Sequence, residues 1–175
     1  MTYETIPWDT HLKKMLKLLD EPGLFLVTAG PDGKANAMTI GWGTIGIIWG
    51  KPVFTVLVRH SRYTFELIEK SDSFTVCVPA PAMYAAVEYV GQKSGRDEDK
   101  LAACKLLVIP STVVKAPGID GCPLIYECRI VHKHDIVPAA LAKDISAYPK
   151  GNYHRVYNGQ IMAVRALPGA AKLLK

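Results

Sequence analysis

The segment Arg59-His60-Ser61-Arg62-Tyr63-Thr64 contains the side chains of this chain that are best suited to bind an anion. It places two guanidinium groups close to the hydroxyls of Ser61 and Thr64. Guanidinium groups and hydroxyls donate hydrogen bonds to phosphate oxygens, and the free N–H groups at the start of a helix add to them. The segment therefore predicts a phosphate site. The alternative is an ordinary capped helix with two solvated arginines.

The flanking residues predict that this segment joins a strand to a helix. Residues 53–58 form a short apolar run rich in β-branched side chains, which is typical of a buried strand. Residues 62–70 place Phe65 and Ile68 on one face of a predicted helix, and Ser61 is suited to be its N-cap. The arginines would then stand near the positive end of a helix dipole, which also attracts anions.

The rest of the chain contains more strands than helices. The first predicted helix begins after Asp9 or Thr10 as its N-cap, and Pro31-Asp32-Gly33 marks a hairpin turn. Residues 44–49 are a glycine-containing loop or strand. Further strands are predicted over residues 24–28, 34–42, 74–78, 106–109, 112–115, 124–134 and 155–165, and further helices over residues 9–20, 82–90 and 98–104.

Hairpins, rather than a regular alternation of strands and helices, connect most of these strands. We therefore predict a mainly β protein with a few surface helices, built as a closed antiparallel β-barrel. A Rossmann-type sheet is disfavoured because the chain has no Gly-x-Gly-x-x-Gly motif. The length of 175 residues fits a single domain spanning residues 1–175.

Composition and charge narrow the class of protein. The net charge is +5, but the basic residues are spread along the chain without a nucleic-acid motif, so we predict no nucleic-acid partner. The N-terminus lacks the pattern of a signal peptide, and no apolar run approaches a membrane span of about 18 residues. No histidine, cysteine or carboxylate spacing indicates a metal site. Free cysteines in a reducing cytoplasm are expected. They are Cys77, Cys104, Cys122 and Cys128.

Four motifs occur in an order that resembles a known family. They are Asn36-Ala-Met38-Thr39-Ile40-Gly41-Trp42, then Ser61-Arg62-Tyr63-Thr64, then Ser94-Gly95-Arg96-Asp97-Glu98-Asp99-Lys100, and finally His154 followed by Gly159-Gln160. This set resembles the flavoredoxin and flavin-reductase-like family over about residues 22–165. The resemblance implies a Greek-key, FMN-binding split β-barrel. It also implies a homodimer with FMN at the subunit interface, and redox chemistry often supplied by a nicotinamide nucleotide.

The resemblance also assigns roles to residues of this chain. It implies that His154 and Lys100 act beside the flavin, and that the first two motifs and Ser94-Gly95 of the third hold FMN. Residue chemistry adds Arg59, which with Ser61, Arg62 and Thr64 would bind the phosphate. The cofactor-binding set is Asn36, Met38, Thr39, Ile40, Gly41, Trp42, Arg59, Ser61, Arg62, Tyr63, Thr64, Ser94 and Gly95. A positive or hydrogen-donating His154 would stabilise an anionic reduced flavin.

Each of these assignments has an ordinary structural alternative. Trp42 is equally suited to a core position, and Asn36 to the exit of a turn. The loop from Lys93 to Lys100 is either a cover over the flavin or a surface loop whose charges pair with each other. His154 is otherwise a surface histidine at the start of a strand.

The residues and the resemblance together favour an FMN-dependent oxidoreductase of the flavin-reductase or flavoredoxin type. Electrons would pass from a reduced donor, NADH or NADPH, through bound FMN to an acceptor. Arg96 and Lys100 are the candidate ligands for a phosphate of that nucleotide. The alternative is a non-catalytic FMN-binding electron carrier or sensor, which would exchange electrons with a protein partner.

Overall fold

The computed structural model describes residues 2–174, which form ten β-strands and five α-helices. The strands are β1 (Glu4–Thr5), β2 (Leu24–Ala29), β3 (Ala35–Ile40), β4 (Gly43–Ile48), β5 (Lys51–Arg59), β6 (Ser73–Val78), β7 (Val108–Ile109), β8 (Gly118–Ile119), β9 (Leu124–Asp135) and β10 (His154–Ala166). The helices are α1 (Leu12–Asp20), α2 (Tyr63–Ile68), α3 (Tyr84–Gln92), α4 (Lys100–Ala103) and α5 (Ala170–Leu173).

The main sheet curls because its two edge strands are neighbours in the sequence. Its antiparallel strands follow the order β3-β2-β6-β9-β10-β5-β4, with β1 paired to one end of β10. Only Gly41 and Trp42 connect β3 to β4 at the opposite edge. Three Cα–Cα steps span at most about 11 Å, so the two edges meet at this end. The sheet is thus the split β-barrel that the family resemblance implied, with an unpaired seam between β3 and β4. The closed barrel predicted from the hairpin pattern is wrong, because within residues 2–174 no ladder of hydrogen bonds joins these two edge strands.

The concave side of the curled sheet encloses the main core. Phe54 of β5 and Tyr126 of β9 pack edge to face with ring centroids 5.4 Å apart, and both are fully buried. Helix α1 adds Met15 and Leu19 to the same apolar cluster. Burying side chains of this size contributes about 1.5–3 kcal/mol each, which favours the curled sheet over a flat one.

A second apolar cluster holds α3 beside the seam. Phe25 and Val27 of β2 pack against Val87 and Val90 of α3. The hydroxyl of Thr39 donates a hydrogen bond to the carbonyl of Val87, which ties α3 to the edge strand β3. The loop that follows α3 therefore begins next to the seam.

The predicted N-cap of the first helix is wrong. Helix α1 begins at Leu12, and its N-cap is His11, whose φ of 66° lies in the left-handed region. Asp9 and Thr10 belong to a separate turn, in which the N–H of Leu12 donates to the carbonyl of Asp9 at 3.1 Å. That turn uses the residues that the sequence pattern assigned to the helix.

The second helix is shorter than predicted. Helix α2 begins at Tyr63 and ends at Ile68, and its N-cap is the extended residue Arg62 rather than Ser61. The Ser61 hydroxyl instead accepts a hydrogen bond from Asn152 Nδ2 at 2.9 Å. A contact to a residue far away in the sequence has replaced the local cap.

The strand predicted over residues 112–115 does not form. Strand β7 pairs instead with β8, which begins at Gly118. The N–H groups of Thr112 and Val113 bind the carboxylate of Glu127 and are not free for a ladder. The buried Glu127 therefore binds the backbone N–H groups that a strand at residues 112–115 would need for pairing.

Candidate functional site

Two adjoining cavities form one groove along the seam, and Met38, Thr39 and Arg62 line both. The first is also lined by Ile40, Gly41, Trp42, Leu57, Arg59 and His154. The second is also lined by Ser61, Tyr63, Thr64, Val90, Gly91, Gln92, Lys93, Ser94, Gly95, Arg96 and Lys100. Residues of all four sequence motifs thus meet at the groove, although Gly159 and Gln160 of the fourth motif do not line it. Of the predicted site residues, Asn36 alone lies outside this lining.

Arg62 and Lys100 supply the positive charge of the groove. Within residues 2–174, neither side chain forms an ion pair with a carboxylate. The buried Lys100 ammonium donates to the carbonyl of Val90 at 3.0 Å, which leaves two of its protons for another acceptor. Burial, and then repulsion by Arg62, lower the pKa of Lys100 to about 8. Two neighbouring cations without a counter-ion favour an anionic ligand.

Asn36 orients a hydroxyl of the groove from behind. Its Nδ2 donates to Thr64 Oγ1 at 2.9 Å, and both residues are buried. Since the Thr64 oxygen accepts this bond, its own proton is available to an acceptor in the second cavity. A Cβ on Gly95 would overlap Asn36 Oδ1, so glycine is required for the loop to approach this closely. Asn36 therefore acts through Thr64 rather than as part of the lining.

The loop from Lys93 to Lys100 is fastened to the start of α2. Arg96 pairs with Glu66, donates to the carbonyl of Ser61 at 3.2 Å, and lies 5.5 Å from the Tyr63 ring. Arg96 therefore contacts protein partners in this structure, but its ion pair is exposed and weak, so its role as a ligand for a nucleotide phosphate stays a prediction. The loop lines the second cavity, as expected of a cover over the flavin. Some of its charged side chains also form ion pairs, as expected of a surface loop.

Arg59 lies apart from the other predicted anion ligands. Its guanidinium donates to the carbonyl of Asn152 at 2.8 Å and to that of Ala147 at 3.3 Å. It also lies 5.1 Å from the ring of Tyr148 and 6.0 Å from that of Trp42. Arg59 thus holds the connection between β9 and β10, and the prediction of one convergent clamp with Ser61, Arg62 and Thr64 does not hold for it.

His154 begins β10, as predicted, and lies in the first cavity. Its side chain is buried, its ring centroid is 5.2 Å from that of Trp42, and Tyr148 Oη is 2.8 Å from Nδ1. Burial lowers the pKa of His154 to about 4, with further contributions from Arg59 and Arg62. The ring is therefore neutral at pH 7, and of the two roles expected for it the hydrogen-donating one fits this structure. Trp42 is 48% exposed, so it is a wall of the groove and not a core residue.

Comparison with known proteins identifies the fold family. The flavin reductase like domain family matches residues 21–173. The chain belongs to this family. A relative from Archaeoglobus fulgidus, described only as an uncharacterised protein, is 33% identical over 122 residues, which cover 70% of this chain and 68% of the relative. The family match confirms the resemblance inferred from the four motifs.

Two solved flavoredoxins resemble this flavin reductase-like chain. The flavoredoxin of Desulfovibrio vulgaris (Miyazaki F) aligns with a TM-score of 0.68 and 26% identity, over 85% of this chain and 70% of the flavoredoxin. The flavoredoxin from Methanosarcina acetivorans aligns with a TM-score of 0.66 and 29% identity, over 83% of this chain and 68% of that protein. Both comparisons support the split-barrel fold class.

Sequence reasoning missed several residues of this flavin reductase-like site. Leu57 faces the first cavity, and Tyr148 and Asn152 reach its borders from the connection between β9 and β10. That connection has no apolar periodicity, so no pattern predicted its position. The pair of tyrosines, Tyr148 and Tyr153, just before His154 is the signal that could have identified it. Among the described residues, no helix is long and apolar enough to cross a membrane.

Proposed function

We propose that this chain is an FMN-dependent oxidoreductase of the flavin-reductase or flavoredoxin type. The observation that carries the proposal is the pair of cations, Arg62 and Lys100, which have no carboxylate partner among residues 2–174. They lie beside the hydroxyls of Ser61 and Thr64, which accept hydrogen bonds from asparagines and can donate their own protons to a ligand. Family membership and the FMN-binding relatives with the same fold support it. When bound, FMN supplies the hydride and electron chemistry, and the protein binds and orients it.

The groove offers a separate environment to each end of FMN. The second cavity, with Ser61, Arg62, Thr64 and Lys100, suits the phosphate because it supplies cations and hydroxyl donors. The first cavity suits the flavin ring, since it combines apolar walls with a few polar groups. Strand β3 is an edge strand, so part of its backbone is free to bind polar atoms of the ring.

The nature of the electron donor remains part of the proposal. We favour NADH or NADPH as donor because Trp42, at 48% exposure, leaves the ring end of the groove open to a second planar ligand. The competing function is an electron carrier or sensor served by a protein partner. It is supported by the ion pair of Arg96 with Glu66, which a nucleotide phosphate would have to displace before Arg96 could bind it.

Titration with FMN and then with nucleotide tests both parts of the proposal. We expect the protein to take up FMN and turn yellow, with absorbance near ~450 nm as flavins in general show. Without air, NADH or NADPH should then bleach the bound flavin. Bleaching by dithionite alone would favour the carrier, and failure to take up FMN would refute the flavin function altogether.

The affinity for FMN should fall as the pH rises above about 8, because Lys100 loses its proton there in the free protein. A bound phosphate dianion favours the charged ammonium and raises this pKa, so binding is coupled to proton uptake at alkaline pH. Fluorescence titrations between pH 7 and pH 10 should show this decrease for wild type. Lys100→Met should bind FMN more weakly at pH 7 and lose the alkaline dependence. A wild-type affinity that stays flat with pH would remove Lys100 from the phosphate site.

We also propose that two copies of the chain form a homodimer, with FMN bound near the interface. Strand β4 is an edge of the sheet, and its far end exposes Ile47 and Trp49, each 60% exposed. An edge strand with exposed apolar side chains is a suitable surface for pairing with a second copy. Sedimentation of wild type beside Trp49→Lys tests this assignment. The cytoplasmic location inferred from the free cysteines stays a prediction.

A further inference from the structure

Residues 136–153, which connect β9 to β10, bring Tyr148 onto the histidine of the groove. Arg59 fixes this connection on both sides of Tyr148, through the carbonyls of Ala147 and Asn152. Tyr148 Oη is 2.8 Å from His154 Nδ1, and the Tyr148 ring packs edge to face on Trp42 with centroids 6.3 Å apart. The hydroxyl is therefore held in place by the contacts of its ring with Trp42, Arg59 and Tyr153 and by its own bond to His154.

The proton positions in this pair follow from the surroundings. Burial raises the pKa of Tyr148, so its hydroxyl keeps its proton at neutral pH. His154 is neutral, because burial and the nearby Arg59, Arg62 and His60 lower its pKa to about 4. A phenol is a good donor and a poor acceptor, whereas an unprotonated imidazole nitrogen is a good acceptor. The bond therefore runs from Tyr148 Oη to His154 Nδ1, and the ring proton is left on Nε2.

We infer that Tyr148 is a positioning residue, which fixes His154 in its Nε2–H form so that the ring presents a neutral hydrogen-bond donor to the groove. Nε2 has no hydrogen-bond partner among residues 2–174, and His154 lines the same cavity as Trp42. The Nε2–H group of His154 is suited to donate a hydrogen bond to an oxygen or nitrogen atom of a planar ligand. This inference rests on the proposed function only for the identity of that ligand.

A neutral donor fits this position better than a cation does. Arg59 of β5, Arg62 before α2 and His60 between them all face His154, so another positive charge would be repelled. The hydrogen bond from Tyr148 occupies the lone pair of Nδ1, which further opposes protonation. The site thus gains directionality toward a ligand without adding charge to an already positive groove.

Nitrogen NMR of the histidine ring tests the inference without any flavin present. In wild-type protein labelled with ¹⁵N-histidine at neutral pH, we expect His154 to show an unprotonated Nδ1 and a protonated Nε2. Tyr148→Phe keeps the ring contacts but removes the hydroxyl. That variant should show a mixture of the two tautomers, whereas the low pKa of His154 should persist, because burial and the nearby arginines cause it and remain in place.

Tyr153→Phe is the matched control, since Tyr153 packs on Tyr148 with centroids 4.8 Å apart but lies outside the pair. It should retain the wild-type tautomer and the wild-type titration. A protonated Nδ1 in wild type, or an unchanged tautomer in Tyr148→Phe, would overturn the inference. The tautomer and the titration of His154 are both measured in protein without FMN. A failure to bind flavin would therefore count against the proposed function and not against the role of Tyr148.

Discussion

Replacing Arg62 with alanine should weaken FMN binding by about 10- to 150-fold, the equivalent of about 1.5–3 kcal/mol for a lost charge-assisted hydrogen bond. The guanidinium lines both cavities and has no carboxylate partner within residues 2–174, so its charge is available to the ligand. Riboflavin lacks the phosphate, and its affinity should barely change. Parallel titrations of both flavins into wild type and Arg62→Ala measure the difference directly.

Arg96→Ala is the matched control for this experiment. Arg96 lies in the same cavity, but its guanidinium is paired with Glu66 and bonded to Ser61. Its removal should change FMN affinity much less than the removal of Arg62. Equal losses for FMN and riboflavin in Arg62→Ala would place Arg62 at the ring or in the fold. Unchanged FMN affinity would exclude it from the binding site.

Glu127→Gln should lower the free energy of unfolding by about 3–5 kcal/mol, because it leaves a buried arginine without its charged partner. Glu127 is fully buried in β9, and its Oε1 lies 2.6 Å from Nε of the buried Arg165. The carboxylate also accepts hydrogen bonds from the backbone of Thr112 and Val113. In glutamine, the NH₂ of the side-chain amide would face the N–H groups of Arg165 or of residues 112–113, and two donors cannot form a hydrogen bond with each other. Urea unfolding followed by circular dichroism measures the loss.

Lys115→Met provides the comparison at an exposed ion pair. Lys115 Nζ lies 3.0 Å from Asp72, but its side chain is 85% exposed, so its removal should cost at most about 1 kcal/mol. If Glu127→Gln is no more destabilising than this control, the Glu127–Arg165 pair does not anchor residues 112–113 to the barrel. The FMN affinity of folded Glu127→Gln should stay near wild type, because the pair lies outside the groove lining.

The parts of the site that could be predicted from sequence are those built from short continuous segments. Met38 to Trp42, Ser61 to Thr64 and Ser94 to Gly95 each line the groove as a unit. Their function depends on local features, such as hydroxyls next to a basic side chain or a glycine that allows close approach. The long strands β9 and β10 were likewise predicted from single continuous segments.

The parts that could not be predicted depend on partners far apart in the sequence. Glu66 pairs with Arg96, although thirty residues separate them in the sequence. Asn152 takes the hydroxyl of Ser61, which the local pattern assigned to a helix cap. Tyr148 reaches His154 through an irregular connection whose path is set by Arg59. Single-sequence patterns describe local preference, and in each case a tertiary contact outweighed it.

The two-residue connection from β3 to β4 converts the curled sheet from a strip into a ring. Along the sheet, six ladders of hydrogen bonds lead from β3 through the other strands to β4. Across the seam, Gly41 and Trp42 link the same two strands covalently. Without this connection, β3 and β4 could move apart to admit a ligand. With it, the distance between the end of β3 and the start of β4 stays nearly constant. The walls beside Trp42 are therefore preorganised before any ligand arrives, so little binding energy is spent on bringing them together.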